Sequence, residues 1–170
     1  MQFEAAVEIV IEIEGGGKLV NRDPKADPGG LTRWGISLRS HPYLGESGIR
    51  SLTKSDAIWI YLTEYWPICD SSTLPGLLKL PLFDTAVHSG SERSVVLLQR
   101  ALNAFGFKLV DDGVLGPITK RAIARMDHKE LFKEYQYQRQ IFLRNLSNYS
   151  QNAKGWEKRI LTVTHEAKAT

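Results

Sequence analysis

Glu14 is followed by three glycines, and within the next 18 positions by Asn21, Asp23, Asp27, Gly29, Gly30 and Thr32. A carboxylic acid facing a second carboxylate, or facing a water held by an Asp and a Thr, is the equipment of glycoside hydrolysis. One group protonates the leaving oxygen while the other serves the anomeric carbon. Two Asp-Pro steps and the Gly29-Gly30 pair specify a tightly turned loop, which returns short acids and hydroxyls toward Glu14. Asp23 and Asp27 taken singly also fit Asx turns that merely shape that loop. Their spacing does not match a calcium-binding EF-hand loop, and no metal site is expected.

The element that carries Glu14 is an amphipathic helix expected from Gln2 to about Glu14. At about 100° per residue, Glu4, Glu8 and Glu12 form an outward stripe, and Phe3, Ala6, Val7, Val10 and Ile11 form the face to be buried. Glu14 falls on the buried face. At a helix C-terminus the macrodipole opposes negative charge by roughly 0.3–1 kcal/mol, and burial opposes it further. Both effects favour a carboxyl that holds a proton, which a general acid needs. The plainer alternative is a glutamate turned to solvent at a frayed end.

Further helices follow. Thr53 caps one, with Asp56 in its first turn and an apolar stripe running to Pro67. A second covers Leu77 to His88 and stops at Gly90, and a third is capped by Ser91 and ends near Gly106. Others run from about Ile118 to Met126, from an Asp127 cap through Asn145, and from Gly155 through His165. The pattern predicts a mainly α fold with a short hairpin or irregular loop segment between Gly15 and Ile36.

Composition narrows the function. The chain has 170 residues, 42% apolar and 24% charged, enough for one sizeable core or two small units sharing one. No apolar run approaches the roughly 20 residues of a membrane span, and acids interrupt the only apolar stretch near the start, which also argues against a secretory signal. Cys69 is the only cysteine, so no intramolecular disulfide forms; it is expected to be a small buried residue in a chain made in a reducing compartment. Residues 1–90 carry a net −3 and residues 91–170 a net +6. The basic half implies an anionic partner: nucleic acid, anionic lipid or the bacterial wall. No nucleic-acid recognition motif accompanies the charge, and contact with an anionic envelope stays electrostatic.

The residues Glu14-Gly15-Gly16, the run from Asn21 through Asp27-Pro28-Gly29-Gly30 and Thr32 to Gly35-Ile36-Ser37, Ile60-Tyr61 with Tyr65-Trp66, and Phe83-Asp84 with Ala86-Val87 and Gly90 resemble glycoside hydrolase family 108. That family consists of N-acetylmuramidases of lysozyme-like fold, many of them phage endolysins. In the second half, Leu98-Gln99 with Ala101-Leu102, Asp112-Gly113 with Gly116-Pro117 and Thr119, and Gly155-Trp156 with Arg159 resemble the predicted peptidoglycan-binding region that accompanies it. The resemblance runs from about Val7 to Ile160. It implies a catalytic region over 1–90 and a helical peptidoglycan-binding-like region over 91–170 packed on the same core. It places the general acid on Glu14 and makes Asp23, by spacing, the first choice for the second catalytic group, with Asp27 and Thr32 beside it.

Trp34, Tyr61, Tyr65 and Trp66 are candidate sugar platforms, since flat rings stack on pyranoses, although aromatics at helical spacing also build cores. His88 stands where the family commonly has Asn and joins them as a candidate substrate contact. Two further departures concern the site itself: Gly17 replaces an aromatic after Glu-Gly-Gly, and the Asn-Asp-Pro run is stretched to Asn21-Arg22-Asp23-Pro24. The implied protein is a monomeric, cofactor-free endolysin made in the host cytoplasm that acts on peptidoglycan of the periplasmic cell wall after release. A lytic transglycosylase and a non-catalytic wall-binding or secretion-assisting protein are the alternatives.

Overall fold

The computed structural model describes residues 1–21 and 30–169. Asp23 and Asp27 lie outside the described residues. Two compact units form, Gln2–Glu64 and Tyr65–Thr170 with Met1.

In the first unit, α1 (Phe3–Ile13) buries Phe3, Ala6, Val7, Val10 and Ile11, the five residues its periodicity selects, and exposes Glu4, Glu8 and Glu12. Its end is set by the glycines. Gly16 N–H donates to the Ile11 carbonyl at 2.9 Å and Gly15 N–H to that of Glu12 at 3.0 Å, the paired bonds of a Schellman motif. Gly15 and Gly16 take φ of 91° and 66°, a left-handed backbone that glycine adopts without a Cβ penalty.

The chain then builds a three-stranded antiparallel sheet in the order β1 (Val20–Asn21), β2 (Leu31–Arg33), β3 (Ile36–Ser37), with Val20 opposite Thr32 and Arg33 opposite Ile36. Trp34 and Gly35 alone join β2 to β3, both at positive φ, 55° and 78°. Two such residues make the type I′ turn whose twist matches flanking strands. A 3₁₀ turn (Pro42–Leu44) and α2 (Gly45–Ser51), neither signalled by periodicity, lead to α3 (Lys54–Ile60). Thr53 and Asp56 form a reciprocal capping box, as the sequence predicts. The stripe expected as one helix to Pro67 is α-helical only to Ile60. It continues as a π turn (Tyr61–Tyr65) and a 3₁₀ turn (Trp66–Ile68), and Pro67 has no N–H with which to extend an α-helix.

The second unit packs α4 (Gly76–Ser89), α5 (Ser91–Ala104), α7 (His128–Arg144) and α8 (Tyr149–Ala169) together, with α6 (Pro117–Ile123) against α5. Helix α4 is buried nearly all round, from Leu80 through Ala86. Gly90, at φ 93°, caps both α4 and α5, so Ser91 is the first helical residue and not the cap expected of it. Asp127 caps α7 by accepting from the Lys129 and Glu130 amides at 2.9 and 3.0 Å. Helix α8 begins at Tyr149, six residues before Gly155, where the sequence suggests a start. A Cβ at Gly155 would meet nothing within 4 Å, and burial of Ile160, Val163 and Ala167 outweighs the roughly 1 kcal/mol that an interior glycine costs. Gln99 organises the Asp112-Gly113 turn: its amide donates to Asp112 Oδ1 at 2.6 Å, and its carbonyl accepts from Gly113 N–H at 3.0 Å. Cys69 is buried as expected, its thiol 3.5 Å from the Lys79 carbonyl and pushed far up from its ordinary range by burial.

Candidate active site

Glu14 occupies the C-cap of α1, half-buried, immediately before the two left-handed glycines. Its stem lies over the β2–β3 turn. A Cβ built on Gly35 would come within 2.8 Å of Glu14 Cγ and inside the van der Waals envelope of the Tyr61 hydroxyl. Only a glycine lets the turn approach both groups so closely.

Trp34, the other turn residue, holds a backbone conformation that bulky residues rarely adopt, and several contacts fix it there. Its indole N–H donates to the Leu52 carbonyl at 3.1 Å, and its own carbonyl accepts from the Tyr61 hydroxyl at 2.9 Å. Its six-membered ring lies on Gly17, where a Cβ would stand 2.5–2.9 Å from ring atoms. The indole therefore fills the space that a side chain at position 17 would take, which gives a physical reason for glycine there. Arg33 adds a fastening through Nε to the Gly17 carbonyl at 3.4 Å and through Nη1 to the Arg50 carbonyl. Thr32 sits on β2 two positions before the turn, half-buried, with Oγ1 3.5 Å from the Gly30 carbonyl.

Glu14, Thr32, Trp34 and Tyr61 thus share the first unit, and the turn joins three of them. Tyr61 is fully buried. It offers no ring face to a sugar, and its visible work is to hold the carbonyl of Trp34. Tyr65, Trp66 and His88 belong to the second unit. Tyr65 is half-buried, and Trp66 is a core residue packed edge-to-face on Phe83 at 5.4 Å. His88 packs edge-on against Trp156 at 5.7 Å with Nδ1 3.1 Å from Ser89 Oγ. Burial, with help from the Arg159 charge, depresses its pKa to about 4. Among the described residues no three His, Cys, Asp or Glu side chains gather as metal ligands, and no helix is long and apolar enough to cross a membrane.

Residues 7–90 match the family Glycosyl hydrolase 108, and residues 93–161 match the family Predicted Peptidoglycan domain. The structure of SagA from Brucella abortus is similar along nearly its whole length: 32% identity over 98% of this chain and 94% of that one, with a TM-score of 0.85. The chain belongs to glycosyl hydrolase family 108. Among curated proteins none matches. As a family 108 member it is a glycoside hydrolase of the N-acetylmuramidase type, with peptidoglycan as its partner. The family match spans Glu14, the sheet and its turn, and continues through α4, whereas compact packing groups α4 with α5, α7 and α8.

Sequence reasoning gave no role to three residues of this family 108 enzyme that shape the neighbourhood of Glu14. Gly35 belongs to the motif that carries the family resemblance but shows no steric role in the sequence, Arg33 reads as an ordinary cation, and Leu52 contributes a backbone carbonyl that no side-chain pattern reveals.

Proposed function

We propose that this enzyme hydrolyses the β-1,4 bond between N-acetylmuramic acid and N-acetylglucosamine, with Glu14 as the general acid. Its proton passes to the glycosidic oxygen as the bond from that oxygen to C1 breaks. A water, held by Asp23 or Asp27 with Thr32, adds to C1 and gives its proton to the second carboxylate, which balances the reaction as a hydrolysis. Trp34 is the sugar-facing aromatic of this reading. The observation that carries it is the position of Glu14, fixed by the Schellman glycines and laid across a glycine-tight turn.

The test is digestion of purified peptidoglycan by the parent and by Glu14→Gln, with mass spectrometry of the fragments. The parent should release fragments with reducing-end muramic acid. The variant should lose at least about 10²-fold in rate while melting at the same temperature or higher, since removing a carboxyl from a helix C-terminus relieves an unfavourable charge. Anhydro-muramic products would make the protein a lytic transglycosylase, and a variant melting well below the parent would make Glu14 structural.

The reading extends to host-cell lysis from within, because many relatives of this type are phage lysins. Producing cells should hold their turbidity until the inner membrane is permeabilised and then clear. Clearing on production alone would overturn that part.

A further inference from the structure

A cleft lies wholly within the second unit, where the end of α7 meets the start of α8. It measures about 290 Å³, near the lower end of small-ligand sites. Its walls include Gln140 and Arg144 from α7, and Tyr149, Trp156, Glu157 and Leu161 from α8. The Tyr149 and Trp156 rings stand 6.1 Å apart at 42°, so they diverge and do not stack closed. Leu161 is 68% exposed, an apolar side chain left at the rim. The Tyr149 hydroxyl donates to Glu157 Oε1 at 2.7 Å, which positions that carboxylate as an acceptor. Arg144, exposed in the last turn of α7, has no carboxylate partner among the described residues.

This lining is amphipathic in a particular way. Aromatic faces suit the C–H face of a pyranose, while a guanidinium, an amide and a carboxylate suit hydroxyl and N-acetyl groups around its edge. Arg144 and Glu157 balance in charge, so the cleft does not select an anionic or a cationic peptide. We propose that it binds one N-acetylated sugar ring of the glycan strand, with Trp156 as the platform and Gln140, Arg144 and Glu157 as edge partners. Gly155-Trp156 with Arg159 then divides its labour: Arg159 turns inward to Asp84 at 2.9 Å, and Trp156 serves the cleft. The inference rests on peptidoglycan as the partner and says which part of the polymer this unit holds.

The probe is the neutral tetramer of N-acetylglucosamine, titrated into full-length ¹⁵N-labelled Glu14→Gln so that nothing is digested. The Trp156 indole N–H signal, assigned by its loss in Trp156→Phe, should shift on titration. Tyr149→Ala and Gln140→Ala, made in the same background, should weaken that response about fivefold to tenfold. A signal unmoved at saturating tetramer, a signal moved by free stem tripeptide in place of sugar, or unchanged affinity in both folded variants overturns the proposal. A parent that cleaves peptidoglycan while Trp156 stays silent overturns this site alone. A responding Trp156 in a chain that cleaves nothing overturns the muramidase reading and leaves this site standing.

Discussion

Gly35 is the residue on which the geometry around Glu14 is most sensitive. In Gly35→Ala the new methyl meets Tyr61 and Glu14 head-on at φ 78°, which combines overpacking with left-handed strain. A loss of about 2–4 kcal/mol is expected, together with a large loss of hydrolysis. Gly16→Ala has comparable backbone strain but open space around its Cβ, so about 1–2 kcal/mol is expected there. Urea titrations of both variants separate steric from backbone effects, and equal losses would show that Gly35 is needed only for its φ. His88 makes a pH prediction. Burial keeps it neutral in the folded state, with its pKa lowered from 6.5 to about 4, whereas the unfolded chain takes up a proton near pH 6.5. The neutral form is therefore the stable one. The contribution of this residue is complete above about pH 6.5 and is lost as pH falls toward 4, amounting to about 3 kcal/mol at roughly 1.4 kcal/mol per tenfold change. Melting temperature against pH should fall more steeply over that window in the parent than in His88→Gln.

At the scale of elements, Asp84 joins three helices. It projects from α4, is wholly buried, and accepts from Arg139 Nη2 of α7 and from Arg159 Nε of α8 at 2.9 Å. Arg139 continues the network through Nη1 to Gln136 at 2.7 Å, and Gln136 reaches Thr164. Asp84→Ala strands two guanidiniums in the interior, so a loss of about 3–5 kcal/mol is expected in urea unfolding; a loss below 1 kcal/mol would mean that water reaches them. This network also marks the limit of what the sequence reveals. Periodicity identified the buried face of α1 residue by residue, because that signal is local. Thr53 and Asp127 announced helix starts for the same reason, by satisfying backbone donors within one turn. The partners of Asp84, by contrast, lie 55 and 75 residues along the chain, and nothing near the Leu82-Phe83-Asp84-Thr85 run encodes them. Gly155 misled as a helix start because tertiary burial overrode its propensity. The Glu14 neighbourhood was legible as residue types in a glycine-rich setting, but the burial of Tyr61 was not, since an inward-facing tyrosine and a ligand platform share one spacing.

Taken whole, the molecule divides its chemistry unevenly. The unit Gln2–Glu64 carries the candidate general acid, and the unit from Tyr65 onward carries the aromatic cleft, the arginine–aspartate network and the single thiol. That thiol has a practical consequence. Cys69 is shielded from solvent and held protonated, so a disulfide-exchange reagent can reach it only when the surrounding helices part. Its labelling rate is thus a built-in clock for opening of the second unit, read without substrate or activity. Under excess reagent the parent should label slowly, and Asp84→Ala, which loosens the same helices, should label faster by about tenfold for every 1.4 kcal/mol lost. Rapid labelling of the parent would reveal that the helices around Cys69 breathe locally, far more often than the unit unfolds.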